Sequence, residues 1–562
     1  MIAPTSRNLG GSGRGWTLAC ALLVIFKLWL VAAQPVLAIG GAGHDDRLFL
    51  HLADKILGGH WLGAYNQLTL AKGPLYSLWI AATVIVGIPL PLAQHLLYLG
   101  GCVLVVRAVR PLLASHGAAC GLFLLLWWNP MSYEMTVLGR VLRQNLYTPA
   151  TLGFFAGLIA LLTARNASRA VRTGWGILLG ASGGALWLTR EETIWVAPSA
   201  VLLAGLAAWL SWRAGERLRP LVLPVVAATA VSATMLLTVC ALNLHYYGWF
   251  GTVEFRAPEF VRAYGALQRV KSSYEIPYVP VTREAREKIY AISPAFAELR
   301  PHLDGWLGEA WAGASSGVTH RPASEREMGG GWFMWALRDA VASAGHASSA
   351  REALAFYARI ADEVNAACDR GELDARPRRD SFVPPWRPEF TAGLRREVPR
   401  ALQYFVSFEG GSAFAPGSLG TAAELKLFSD LTRWPLAPSA EAPDLDRKRQ
   451  QQFDFGRVWL LEKIGRGVGG ALMIGSYGAV LLWGVLIVVA LRRRKLPVTL
   501  VVAAAAGGGA LAVVLINTVV DVVSFPNRSP GAFAQAYPLL ILFVGLVWME
   551  AVRIERNAVV RR

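Results

Sequence analysis

The chain has 562 residues, 54% of them hydrophobic, with mean hydropathy +0.40 and a formal charge of +17. That balance excludes an ordinary soluble domain, because apolar runs of bilayer length recur along the chain. The charge does not read as nucleic-acid binding either: many of the Lys and Arg residues cluster in short loops between apolar runs, and no basic stripe is interleaved with aromatics.

The first apolar run, 18–38, is broken only by Lys27 and Gln34 and is expected to be an uncleaved anchor rather than a signal peptide. Further spans are expected at about 91–109, 117–131, 147–164, 174–189, 193–211, 220–243, 467–491, 497–522 and 535–552. The run 75–90 sits between Gly73-Pro74 and Pro89-Leu90-Pro91 and reads as a re-entrant or interfacial helix or one arm of a tight hairpin, the alternative being that it spans fully and a neighbour does not. With ten spans and a cytoplasmic N-terminus, every basic cluster falls on the cytoplasmic side: Arg7 and Arg14; Arg107 and Arg110; Arg165, Arg169 and Arg172; Arg213, Arg217 and Arg219; Arg492, Arg493, Arg494 and Lys495; Arg553, Arg556, Arg561 and Arg562.

The fold class expected is therefore an all-α polytopic membrane protein with about ten transmembrane helices, a re-entrant or interfacial segment and a mainly helical extracytoplasmic domain. Three regions are expected: a transmembrane module 1–243 with an outer loop 39–72, an extracytoplasmic domain 244–466, and closing helices 467–562. Within the middle region, 350–371 has apolar residues at helical spacing and a Gly stop, and 332–341 is a second helix-like run. Only Cys368 of the five cysteines lies there, so that region has no internal disulfide.

The outer face receives most of the unusual polar residues. His44, Asp45 and Asp46 open a short helix whose apolar face is Leu48, Leu52, Ile56 and Leu57. Adjacent carboxylates beside a bilayer repel each other and are poorly solvated, so they imply a cation, a proton transfer or a metal. The bland reading makes one Asp a helix cap and pairs the other with Arg47. Lys72 sits at the edge of an apolar run and is either a snorkelling anchor or a phosphate contact. Arg140 and Arg143, three apart and outside against the positive-inside bias, suit an anionic partner such as a lipid phosphate, or an ion pair with Glu134 or Asp45. Glu134, Glu191 and Glu192 offer further carboxylates, and Asp521, inside an apolar run near Arg528, is expected in a structural ion pair. No nucleotide-binding fingerprint and no zinc-like Cys/His spacing is present.

The order of first span, outer loop with paired acids, interfacial helix, Lys72-Gly73-Pro74 before an apolar run, and late polar region resembles the GT-C superfamily. Its members include protein O-mannosyltransferases, lipid A aminoarabinose transferases, mycobacterial arabinosyltransferases and the catalytic subunit of oligosaccharyltransferase. The likeness covers roughly the first 240 residues as a pattern of spans and loops. Lys72-Gly73-Pro74 is similar to the Lys-Pro-Pro of several relatives, with Gly standing for Pro, and Glu134 is the candidate for the relatives' second outer acid.

The resemblance implies a glycosyltransferase moving a sugar from a polyprenyl-phosphate carrier to a glycan, lipid or protein acceptor on the extracytoplasmic face of a bacterial inner membrane. Asp45 or Asp46 is then the general base and Lys72, Arg140 and Arg143 face the donor phosphate. His44, Glu134, Glu191 and Glu192 contact the acceptor or a metal. A divalent cation (Mg or Mn) on Asp45 and Asp46 is an accompanying expectation, with no nucleotide cofactor; the partners are membrane lipids and substrates, not nucleic acid. The rival readings are a lipid or glycan transporter or flippase, and a non-catalytic assembly subunit.

Overall fold

The computed structural model describes residues 12–190, 192–216, 218–445 and 454–559. Arg7, Glu191, Arg217, Arg561 and Arg562, and the side chain of Arg556, lie outside the described residues. The fold is all-α; among the described residues, extended pairing is limited to isolated bridges, two of which join 36–39 to 419–436.

The helices in chain order are α1 (Ser12–Val31), α2 (Asp46–Leu57), α3 (Leu75–Val86), α4 (Leu90–Val109), α5 (His116–Trp127), α6 (Gln144–Thr163), α7 (Arg169–Thr189), α8 (Ala197–Arg213) and α9 (Arg219–Tyr247). The polar region holds α10 (Pro258–Leu267), α11 (Arg283–Tyr290), α12 (Pro294–Ala297), α13 (Arg300–Leu303), α14 (Trp306–Thr319), α15 (Gly330–Ser343), α16 (Ala350–Asp369), α17 (Pro388–Val406) and α18 (Ala422–Thr432). Three long helices close the chain: α19 (Phe455–Arg492), α20 (Val498–Val523) and α21 (Ala536–Val559).

Among the described residues, eight segments, those of α1, α4, α6, α8, α9, α19, α20 and α21, are long and apolar enough to cross a membrane. This is a membrane protein. The expected spans 117–131 and 174–189 correspond to α5, which has only 12 residues, and to α7, which is diluted by glycine. Both pack within the bundle: Leu122 and Leu126 of α5, and Leu186 of α7, are fully buried in the same core as Phe155 and Leu203. Helix α3 has 12 residues, about 18 Å of rise, which is too short to cross the hydrocarbon. It ends at Gly87, whose φ of 84° stops the helix before Pro89.

The loops that follow α4, α6 and α8 gather with the start of α1 at one end of the bundle. Thr163 at the end of α6 donates to the Ala108 carbonyl of α4 at 2.8 Å, Arg165 lies 3.6 Å from Glu216, and Gly117 lies against Trp16.

The polar region divides among several cores. Residues from Val253 to Cys368, with Phe260, Phe333, Leu337 and Ile360 fully buried, form one. Helix α16 supplies a full stripe to it because its apolar residues recur at 353, 357, 360, 364 and 368. Ser349 caps it and Gly371, at φ 76°, follows its end. Helix α17 instead joins the bundle, where Phe405 packs 4.9 Å from the Tyr537 ring. Helix α18 packs with α2 and α3 through Phe428 and Leu425 against Phe49, Tyr76 and Ile80.

Candidate functional site

Lys27 of α1 and Gln34, three residues past its end, anchor the outer end. Lys27 Nζ donates to the Trp127 carbonyl and to Ser132 Oγ (2.6 Å), with its ammonium 4.2 Å from the Trp127 ring centre. Gln34 donates to the carbonyls of Tyr133 (3.0 Å) and Ala413 (2.9 Å). Beyond it, residues 36–40 run beside 418–437: Val36 N–H donates to Pro435 O (2.9 Å), Gly40 N–H to Leu419 O (2.7 Å), and Ala437 N–H back to Val36 O (2.8 Å). Gly40 passes so close to Gly420 that a side chain there would strike Glu424.

Helix α2 follows. Its two apolar edges enter different cores, Phe49, Leu50 and Ala53 on one side and Leu48 and Leu52 on the other. That double burial fixes the position of its first turn. Asp46 is fully buried and takes a fork from Arg140, Nε to Oδ1 at 2.9 Å and Nη2 to Oδ2 at 2.5 Å. Asp45 keeps 54% of its side chain exposed and meets the buried Lys72 ammonium through Oδ1. Neither aspartate follows the bland reading: Asp45 makes no side-chain capping bond, and Arg47 pairs with Glu424 of α18 instead.

Lys72 is placed by a buried brace. Arg338 of α15 donates to the Gln67 carbonyl (2.8 Å) and to Glu254, and Tyr65 donates to Glu254 at 2.6 Å. Glu254 N–H then bonds Leu70 O at 2.9 Å. The Lys72 ammonium lies 5.3 Å from the Phe49 ring centre and 5.8 Å from that of Trp335. Gly73 admits no Cβ, because its α-carbon presses on the Leu188 carbonyl at the end of α7. This explains why Gly stands at the middle of the Lys-Gly-Pro.

The segment 134–143 is a series of turns rather than a helix, so Arg140 and Arg143 diverge. Arg140 goes to Asp46, while Arg143 donates to the Thr189 carbonyl at 3.2 Å. Arg143 still acts on both Asp45 and Glu192 through its charge. Glu192 lies 3.3 Å from Arg190; burial raises its carboxyl, but Arg190 and Arg143 hold it low. Glu134 turns into its own loop, accepting from the N–H groups of Thr136 (2.6 Å) and Val137 (3.0 Å). His44 is clamped between the rings of Trp311 and Trp335 at 4.8 and 4.7 Å. Burial, then the Lys72 charge, lower its imidazole to about 4. It is therefore neutral at neutral pH, and its Nε2 lies 3.9 Å from Asp339. Asp521, expected in an ion pair, instead accepts from the backbone N–H groups of Asn527 (2.6 Å) and Arg528 (3.3 Å).

Burial pushes the Asp45 carboxyl up, but Lys72, then Arg143 and Arg140, hold it below its ordinary value. The result is one ionised, solvent-facing carboxylate among cations at the end of the bundle away from the basic loops. Such a group can accept a proton, and the cations around it can share an arriving anion. The donor set does not fit a divalent ion: Asp46 has both oxygens on Arg140, and Asp45 is on Lys72. No three metal-binding side chains converge among the described residues.

Sequence reasoning missed Glu254, Trp311, Trp335, Arg338 and Asp339. The helix-like run 332–341 was legible, but nothing local marks it as the wall facing His44 and Lys72.

No family model and no curated protein matches this chain. The chain is similar to two crystal structures of ArnT from Cupriavidus metallidurans. For the structure bound to undecaprenyl phosphate the identity is 13% and the TM-score 0.32, over 95% of this chain and 78% of that one. For the apo structure they are 15% and 0.34, over 84% and 80%. At those TM-scores the chemistry of this chain rests on its own side chains.

Proposed function

We propose that the chain is a membrane glycosyltransferase that moves a sugar from a polyprenyl-phosphate carrier to an acceptor on the extracytoplasmic face. The observation that carries this reading is the half-open Asp45 carboxylate held against the buried Lys72, with Arg143 beyond it. Asp45 takes the proton of an acceptor hydroxyl. The acceptor oxygen forms a bond to the anomeric carbon as the bond from that carbon to the carrier phosphate breaks, which inverts the centre. The electron pair leaves on the lipid phosphate, where Lys72 and Arg143 stabilise it. Lys72 thus has two anions to serve in turn: it holds Asp45 ionised in the free enzyme, and turning to the donor phosphate it leaves Asp45 a stronger base.

Asp46 and Arg140 have a different part. Asp46 is fully buried with both oxygens on Arg140, so the pair fixes the start of α2 rather than touching substrate. A direct test supplies purified protein with a panel of polyprenyl-phosphate sugars and follows carrier release. Release by the parent chain and its loss in Asp45→Asn support the reading; full release by Asp45→Asn ends it.

A further inference from the structure

A notch of about 250 Å³ opens where α19 meets the 407–413 strap and the turn Pro130–Tyr133. Its place along α19 sets its depth. From Arg466 to Arg492, where the basic loop 492–495 begins, the helix rises about 39 Å. A bilayer with its headgroups is about 40–45 Å thick. The two arginines therefore stand in opposite headgroup layers, and the notch beside Arg466 opens at the level of lipid phosphates.

The α19 wall of the notch is bare. Gly465, Gly469 and Gly470 line it, and a Cβ at Gly469 would make only ordinary contact with Phe408 and Pro130. Three polar side chains set its chemistry, since Ser407 and Ser412 are turned to neighbouring backbone groups. Glu462 is buried; its Oε2 accepts from Ala413 N–H (2.7 Å) and its Oε1 from Arg466 Nε (2.9 Å). Arg466 is mostly exposed and, among the described residues, uses no other N–H, which leaves both Nη groups for a ligand. Tyr133 is 4% exposed, yet its hydroxyl makes no hydrogen bond among the described residues. A Cβ at Gly465 would strike that hydroxyl, which places it at the floor of the notch.

The Glu462 carboxylate and the Arg466 guanidinium cancel in charge but are separated in space. A lone anion gains little there, because the carboxylate opposes what the guanidinium attracts. A ligand carrying both signs a short span apart matches both. We propose that the notch binds the headgroup of a phospholipid with a primary ammonium, an ethanolamine headgroup. Its phosphate takes the Nη groups of Arg466, and its ammonium donates to the Tyr133 hydroxyl and the Glu462 carboxylate. The acyl chains then follow α19 past Met473. A trimethylammonium headgroup has no N–H to donate, and a glycerol headgroup brings no cation. This binding does not depend on sugar transfer.

The test uses the full chain, delipidated in dodecylmaltoside, with dioctanoyl phosphatidylethanolamine, phosphatidylcholine and phosphatidylglycerol as probes. Affinity is read from the rise of melting temperature with lipid concentration, and stoichiometry from native mass spectrometry. Phosphatidylethanolamine should bind about tenfold more tightly than the other two, the worth of one charge-assisted hydrogen bond. Tyr133→Phe should erase the preference over phosphatidylcholine while the lipid-free protein melts like the parent, because that hydroxyl has no partner to lose. Arg466→Gln should lose about tenfold for each lipid. Gly469→Leu, which fills the notch without touching a charge, should lose as much. Lys463→Gln should bind like the parent, because Lys463 is exposed over the Trp459 ring and does not line the notch. Equal or tighter binding of phosphatidylglycerol overturns the proposal, as does a preference that survives Tyr133→Phe or Gly469→Leu. A loss in Lys463→Gln as large as in Arg466→Gln overturns it too, assigning the effect to diffuse attraction at the surface. So does an equal effect of free phosphoethanolamine, which assigns the notch to a soluble amine phosphate rather than a membrane lipid.

Discussion

Lys72 and Asp45 meet at the rim of the outer cleft, one buried and one half-exposed, while the next residue, Asp46, is sealed beneath them on Arg140. Two adjacent carboxylates thus have opposite environments. The exposed one can exchange its partner for a ligand; the buried one cannot without leaving a guanidinium unpaired.

The two aspartates should therefore separate experimentally. Asp45→Asn keeps the fold and lowers transfer by about 10²–10⁴-fold, the usual worth of a positioned base. Asp46→Asn leaves Arg140 short of its charge and destabilises the protein on the order of 3–5 kcal/mol. Thermal unfolding in detergent alongside carrier release distinguishes them. An Asp46→Asn chain as stable as the parent would remove the bracing role.

The pH dependence follows from the same pair. Asp45 is held below its ordinary 3.8 in the free protein, with burial opposing and Lys72 prevailing. A carboxylate lowered in this way contributes stability that is complete above its unfolded value and lost as pH falls through the lower folded value. The acid limb of kcat/KM, which reports the free enzyme, should lie below about 3.8, and that of kcat should lie higher once Lys72 has turned to the donor phosphate. Lys72→Met should raise the kcat/KM limb toward the kcat limb. Coincident limbs in the parent chain would contradict the exchange of partners.

Position 73 has no room for a side chain, because a Cβ there meets the Leu188 carbonyl. Gly73→Ala forces the end of α7 away and carries the Thr189 carbonyl off Arg143. The expected cost is on the order of 1–3 kcal/mol of stability, with a larger loss of transfer than of melting temperature. A chain that melts and turns over like the parent would show that α7 yields freely.

Much of this centre was legible along the chain. His44, Asp45, Asp46, Lys72, Arg140, Arg143 and Glu192 do meet at one end of the bundle, because short polar segments between long apolar helices have few places to go. The amphipathic helices 46–57 and 350–369 were legible for the same local reason, their period. What periodicity cannot carry is partner choice across long separations. Arg47 goes to Glu424 rather than to its neighbours, Asp521 to backbone amides rather than to a guanidinium, and Glu134 into its own turn. The 418–437 segment beside residues 36–40 has no repeat or alternation that announces it, and Arg338 reaches Glu254 and Gln67 from a helix that reads locally as ordinary core.

That last pair makes the remaining prediction. Arg338 and Glu254 are both nearly or fully buried, and between them they hold Tyr65, Gln67 and Leu70, the approach to Lys72. Removing either charge alone strands the other in a dry site, so Arg338→Met and Glu254→Leu should each cost on the order of 3–5 kcal/mol. The double variant removes both desolvation penalties and should recover most of that loss, giving a large coupling in the double-mutant cycle. It should not recover transfer, because the Gln67 carbonyl and Tyr65 hydroxyl have also lost their partners and the loop that delivers Lys72 is no longer tied to α15. Stability without activity in the double variant would identify the brace as a positioning device. Restored activity would instead show that packing of the apolar replacements alone sets Lys72 against Asp45.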